Sequence, residues 1–181
     1  MTPSSVHTEN LHGLYPKGLS SYSFFGDKIA YDSKSKSLAI SSPGNGFQGS
    51  VYLYQIVSDH NNKTELELTN NIISPPVPVA NNFGSSIALN SKSIFVGANL
   101  NQLPENNLAG CVYIYKNNKK PIKPAPQIPT QRLIATDSEE SSFFGGSLKA
   151  SENLVIIGSS YNDYHGSAYI FKYNSETDRY Y

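Results

Sequence analysis

One motif recurs three times along this chain of 181 residues and constrains its fold more than any other feature. Each copy opens with a Phe-Gly pair, continues through an apolar run and a short turn, and closes with a second apolar run that contains Tyr or Phe. The pairs begin at Phe25, Phe83 and Phe144, so they are 58 and then 61 residues apart. Such a period is too long for a two-helix repeat and fits four short strands with their loops, which is one blade of a β-propeller.

The composition favours the same fold. The chain has 13 Tyr and 8 Phe but no Trp, and aromatic residues of this kind are enriched in strands. No window places apolar residues at helical spacing between capping residues. We therefore predict an all-β fold of three four-stranded antiparallel blades, in a propeller ring that is incomplete or shared.

The repeats set the expected domain boundaries. Residues 1–20 are polar and irregular, so we expect either a disordered lead-in or the outer strand of a preceding blade. Residues 21–181 are expected to form the propeller segment, with blade one at 24–73, blade two at 82–136 and blade three at 143–181. The fourth strands are expected at Thr64–Thr69 and Gln131–Ala135, and after residue 173 only the opening of a fourth strand is expected.

The order of these elements resembles the FG-GAP repeat, which builds the propeller of integrin α subunits and of many bacterial and protist surface proteins. The resemblance covers about residues 24–173, and the third copy is especially similar to the bacterial type. It implies a non-catalytic binding module that mediates protein–protein or cell-surface adhesion contacts. It also implies an extracellular or cell-surface location if a leader is missing, and otherwise the location is unknown. The turn that is Gly-Ala-Pro in the family is altered here to Ser41-Ser42-Pro43, Gly97-Ala98-Asn99 and Gly158-Ser159-Ser160.

The loops that hold calcium in many members of this family are altered too. Between the first two strands of each blade, these loops read 32–36, 90–93 and 151–153, and the first contains one Asp followed by two lysines. Because calcium takes about six to eight oxygen ligands, we expect no calcium, no other metal and no cofactor.

Catalytic constellations are not evident. The four histidines, His7, His12, His60 and His165, are scattered, and Cys111 lies within an apolar run that predicts a small core residue. The G-x-G-x-x-G match at 44–49 joins two strands, whereas phosphate binding needs a helix after the glycines. A net charge of zero gives no footprint for nucleic acid, and no apolar run is long enough for a membrane span.

The candidate binding residues lie in the loops between the second and third strands, which share one rim of a propeller. These loops mix aromatic and polar residues, a combination suited to recognition, although plain loop variability is the alternative. The candidates are Phe47, Gln48, Asn101, Glu105, Tyr161, Asp163, Tyr164 and His165.

Three blades leave the ring open, because closed propellers use about four to eight. The chain is then an excerpt of a longer propeller, one half of a ring formed by two copies, or an arc whose ends another subunit covers. The leading hypothesis is a module that binds a protein or glycan partner through its rim loops. The alternatives are a scaffold subunit of a larger complex and, as the weakest, a fragment of a propeller-type hydrolase.

Overall fold

The computed structural model describes residues 6–7, 14–58, 64–76, 81–101, 109–118, 127–137 and 141–181. These residues form three antiparallel sheets, and their helical segments are two single 3-10 turns, Asn45–Phe47 and Asn162–Tyr164. The prediction of an all-β fold built from propeller-like blades is confirmed.

Each sheet is one blade, and apart from β1 its strands follow the chain from the inner edge outwards. Blade one consists of β1 (Val6–His7), β2 (Ile29–Asp32), β3 (Ser37–Ser42), β4 (Ser50–Ser58) and β5 (Thr64–Ile73). Blade two consists of β6 (Phe83–Leu89), β7 (Ser93–Ala98), β8 (Cys111–Lys116) and β9 (Gln131–Leu133). Blade three consists of β10 (Phe144–Ala150), β11 (Leu154–Ser159), β12 (Ser167–Asn174) and β13 (Arg179–Tyr180).

The two ends of the chain complete the outer edges of their blades. β1 pairs with β5, so blade one has a fifth strand; the rest of 1–13 lies outside the described residues. For residues 1–20 the sequence predicts either a disordered lead-in or the outer strand of a preceding blade. In blade three, Tyr173 pairs with Tyr180 across a tight turn, so a short fourth strand is present.

The Phe-Gly pair has a defined structural role at the start of the inner strand. In blades two and three the pairing register shifts directly after it, between Phe83 and Ser86 and between Phe144 and Ser147. Gly84 adopts a φ of 92°, a left-handed conformation that glycine tolerates and side chains with a Cβ rarely adopt. This bulge bends the inner strand and places the preceding Phe ring between two blades.

Two apolar cores lie between the blades, and blade two contributes to both. The first joins Val51 and Leu53 of blade one to Phe83 and Val96 of blade two. The second lies between blades two and three, where its largest fully buried side chains are Phe95, Phe144, Val112, Val155 and Ile157. Burying one such side chain contributes about 1.5–3 kcal/mol, so the contacts between blades stabilise the fold.

Candidate binding surface on the blade rim

The rim is the edge of the three sheets at which β3, β7 and β11 end. The loop that follows each of these strands is hydrogen-bonded there to the segment that leads into the inner strand of the same blade. The backbone donors and acceptors are Gly44 N to Ser23 O at 3.1 Å, Leu100 N to Asn81 O at 3.3 Å and Tyr161 N to Ser142 O at 3.2 Å. Each blade therefore presents two connected backbone segments on the rim.

An asparagine anchors each rim loop to the third strand. In blade one, Asn45 Nδ2 donates to Ser50 Oγ and to the Tyr52 hydroxyl, both at 3.1 Å. In blade three, Asn162 Nδ2 donates to Ser167 Oγ at 3.1 Å and to the Tyr169 hydroxyl at 2.9 Å. These bonds are partly buried and tie the loop backbone to the third strand of its blade.

Asn101 is the anchor of blade two. Its side chain is 1% exposed, and its Oδ1 accepts a hydrogen bond from the Tyr113 hydroxyl at 3.5 Å. The structure thus places this predicted binding residue under the rim, where it positions the loop and does not face a partner.

The predicted residues of blade three form an exposed patch on the second 3-10 turn. Tyr161 is 61% exposed and Tyr164 is 88% exposed, with Asp163 and His165 exposed beside them. Asp163 and Tyr164 adopt φ values of 51° and 58°. A left-handed backbone is common for Asp but uncommon for a bulky residue, and such strain is concentrated at functional sites.

Three further predicted binding residues are Gln48, Phe47 and Glu105. Gln48 is half-buried at the end of the first 3-10 turn. The backbone of Phe47 belongs to that turn, but its side chain lies outside the described residues, as does the whole of Glu105. Whether these residues bind a partner stays a prediction.

Three further aromatic residues lie on the rim that the sequence analysis did not select. Tyr22 and Phe24 are 84% and 63% exposed, and both have left-handed backbones, with φ values of 59° and 52°. Phe143, with a φ of 55°, packs its ring edge-to-face against Tyr161, with centroids 5.5 Å apart. The available signal was the doubled Phe-Phe-Gly of blades one and three, in which the first Phe belongs to the rim and the second to the core.

Two polar side chains beneath the blade-three loop form hydrogen bonds with the hydroxyl of Tyr169. The Tyr169 hydroxyl donates to Asp137 Oδ1 at 2.9 Å while it accepts from Asn162. Burial, and then the hydrogen bond to this carboxylate, raise the pKa of Tyr169 above its ordinary value. The loop is therefore held by a neutral hydroxyl with both hydrogen-bonding roles filled.

The turns at the opposite edge use their polar side chains to stabilise themselves. Asp32 Oδ2 accepts a hydrogen bond from the Ser35 amide at 2.7 Å, and Asn90 Oδ1 accepts one from the Ser93 amide at 2.7 Å. In the part of the chain that the structure describes, no group of three or more His, Cys, Asp or Glu side chains is placed to share a metal ion. The expectation of a metal-free and cofactor-free chain stays a prediction.

Comparison with known proteins bears on blade three most directly. Residues 129–171 match the family model described as the FG-GAP repeat, which confirms the resemblance inferred from the motif. No curated protein matches the chain. FG-GAP repeats are generally binding modules without catalytic activity. Within the described residues, no helix has the length and apolar character needed to cross a membrane.

Proposed function

We propose that this chain is a non-catalytic adhesion-type module whose rim loops bind a protein or a glycan outside the cell or at its surface. The match of residues 129–171 to the FG-GAP repeat supports this proposal. The observation that carries this proposal is the set of exposed aromatic side chains on the rim. Tyr22, Phe24, Tyr161 and Tyr164 are each more than half exposed.

The rim supports binding because its aromatics stand on a backbone that is already fixed. Tyr side chains have two rotatable bonds, so they provide contact area at a low entropic cost. The bonds from Asn162 to Ser167 and Tyr169 hold the loop before any partner arrives. Preorganisation of this kind reduces the ordering cost of association.

The chemistry of the patch suits a polar partner with apolar faces. Tyr161 and Tyr164 offer rings for sugar faces or apolar side chains, and Asp163 and His165 offer hydrogen-bonding groups beside them. Interface centres are enriched in aromatic residues and surrounded by a polar rim, which is the arrangement found here.

The proposal is tested with the full chain on a glycan array and on an array of purified cell-surface and matrix proteins. We expect Tyr161→Ala combined with Tyr164→Ala to weaken the binding of a captured ligand at least about tenfold, the loss typical of a central aromatic contact. Tyr181→Ala is the matched control, because Tyr181 is 68% exposed but follows the outer strand β13. Binding to neither array, or equal loss in both variants, would contradict the proposal.

A second candidate function, that of a scaffold subunit, is favoured by a separate observation. Ile156 and Ile170 of blade three are 39% and 62% exposed, although both belong to central strands of the sheet. A scaffold role predicts that the isolated chain is unstable and folds cooperatively with a neighbour. A stable monomer in solution would argue against it.

A further inference from the structure

The face of blade three that points away from blade two is exposed, and it combines apolar side chains with two lysines. Val155 and Ile157 of β11 point into the core shared with blade two and are fully buried. Because side chains alternate along a strand, Ile156 between them points the other way. Strand pairing places Ile156 beside Ile170, and we call the surface formed by Lys149, Ile156, Ala168, Ile170 and Lys172 the open face.

The corresponding surfaces of the other two blades are buried. By strand register, Ile156 corresponds to Ala39 and Phe95, which are 0% exposed. Ile170 corresponds in the same way to Leu53 and Ile114, which are 3% and 2% exposed. The open face therefore has the register of a blade-stacking surface, and none of the three described blades covers it.

The two filled interfaces show what such a surface receives, which is the inner strand of the next blade. Between blades two and three, Ser86 Oγ donates to the carbonyl oxygen of Gly145 at 2.5 Å. That oxygen lies so close to Gly97 that a Cβ on Gly97 would collide with it. The backbone carbonyl of Gly145, the glycine of the Phe-Gly pair in blade three, is thus contacted by Ser86 and Gly97 of blade two.

Blade three carries the same two recognition residues, and no inner strand of the described blades packs against them. Ser147 and Gly158 correspond to Ser86 and Gly97 by register. They line a groove of about 480 Å³ that is also bordered by Ser159, His165 and Gly166. A Cβ on Gly158 would meet only Ser147 among its neighbours within 4 Å.

We propose that the open face and this groove bind blade one of a second copy of the same chain, with the carbonyl of Gly26 in the place that Gly145 occupies between blades two and three. This inference does not depend on ligand binding by the rim loops. It assigns a partner to the open face, which the proposal of ligand binding by the rim loops does not explain.

Blade one exposes the residues that such a contact would cover. Ile29 and Tyr31 on β2 are 65% and 53% exposed, whereas their equivalents in blade two, Ile87 and Leu89, are 8% and 7% exposed against blade one. Among the described residues, blade three and blade one therefore expose surfaces that correspond to the two sides of a blade-stacking contact.

The described residues that lead into blade one contact the same face of that blade, but Ile29 and Tyr31 on β2 stay exposed. Leu14 and Leu19 pack on the outer part of blade one, against Tyr52 and Tyr54. By strand register, Tyr113 and Tyr115 of blade two correspond to Tyr52 and Tyr54 of blade one. In the interface between blades one and two, Ile72 of β5 belongs to the same apolar cluster as Tyr113 and Tyr115. Leu14 and Leu19 thus supply an outer contact that a stacked blade also has, while the inner strand β2 stays uncovered.

Two copies joined head to tail would bring six blades together, a number within the range of about four to eight that closes a propeller. Because the contact joins different surfaces, rotation decides between a closed ring and an open chain of copies. Both arrangements use the same contact and respond to the same substitutions.

Light scattering of the full chain at increasing concentration tests this inference. We expect a mass of at least twice the 19.8 kDa of one chain. Gly158→Ala, which fills the groove, and Ile170→Asp, which charges the open face, should each raise the concentration needed for association at least about tenfold. Circular dichroism establishes that each variant keeps its strands, and because both positions lack a covering blade, both variants should fold.

Two matched variants separate this contact from other kinds of association. Ile128→Asp introduces the same charge at a position that is 84% exposed outside the open face, and it should leave the mass unchanged. The single variant Ile29→Lys should prevent association of the copies. The double variant Ile29→Lys with Ile170→Asp should restore association, because the two introduced charges are opposite. The inference is overturned if the natural chain stays monomeric up to millimolar concentration, or if association survives both Gly158→Ala and Ile170→Asp. The rim variants Tyr161→Ala and Tyr164→Ala should still associate, so failure of the binding proposal would be seen separately.

Discussion

Cys111, the single cysteine of the chain, lies fully buried at the start of β8. Burial is the main reason that the pKa of its thiol rises to about 12 from an ordinary value of 9.0. Burial, and then the neighbouring Tyr52, raise the pKa of Tyr54 to about 12 as well. Both groups are neutral when protonated, so the folded chain favours their protonated forms.

The chain should lose stability in alkaline solution for this reason. Because the folded pKa of Cys111 lies above its unfolded value, its contribution is complete below about pH 9 and is lost as the pH rises towards 12. We expect the free energy of unfolding in urea to fall by about 1–2 kcal/mol from this group between pH 9 and 10.5.

Cys111→Ser is the control for this effect. Serine occupies the equivalent position in blades one and three, as Ser50 and Ser167, and it does not titrate in this range. The variant should therefore show a shallower pH dependence, whatever its stability at pH 8. Identical slopes for the two proteins would show that the thiol does not ionise on unfolding.

The sequence could identify Cys111 as a core residue but not Asn101 as an anchor. Apolar neighbours on both sides of Cys111 predict burial from local information alone. Asn101 is buried because a tyrosine hydroxyl twelve residues later reaches it, and that pairing exists only once β7 and β8 are aligned.

At the scale of elements, the rim loops depend on their asparagine anchors. Asn45→Ala would remove hydrogen bonds to Ser50 and Tyr52 and leave the buried hydroxyl of Tyr52 with one partner fewer. We expect a loss of about 1–3 kcal/mol in the free energy of unfolding, measured in urea. Asn153→Ala, in the exposed turn between β10 and β11, should change it by less than about 0.5 kcal/mol. Equal effects of the two substitutions would mean that Asn45 does not anchor its loop.

Most strands could be predicted from the repeat, and the predicted bounds were least accurate for the outer strand of each blade. The expected fourth strand Thr64–Thr69 extends to Ile73, and the expected Gln131–Ala135 ends at Leu133. Inner strands are fixed by their own apolar runs, since both faces are buried between blades. Outer strands lack such apolar runs, because their length depends on how far they pair with the neighbouring strand of the sheet.

The rim could be predicted as a set of loops but not as a surface. Tyr161 and Tyr164 were selected because they are aromatic residues within a loop. Tyr22 and Phe24 were not, because they stand beside a motif that predicts core packing, and the left-handed backbone that turns them outwards is not visible in the sequence.

At the scale of the whole molecule, one contact is repeated between blades. The inner strand of each following blade enters the face of the preceding one, and the glycines at that face leave room for its backbone. Gly49 and Gly110 lie against the carbonyl oxygens of Phe83 and Phe144, and Gly97 lies against that of Gly145. Blade three has the same surface, and none of the described strands of the other two blades covers it.

The central claim is that the backbone of one blade packs closely against a glycine of the preceding blade. On blade three the corresponding glycine, Gly158, has no such backbone against it among the described residues. The claim is tested most directly by comparing Gly97→Ala with Gly158→Ala in urea, at a protein concentration where both are monomeric. Gly97→Ala should cost about 1–3 kcal/mol or more, because its methyl group collides with the backbone of the next blade. Gly158→Ala should change the free energy of unfolding by less than about 1 kcal/mol, since only the Ser147 side chain must move. Equal losses in the two variants would contradict the account.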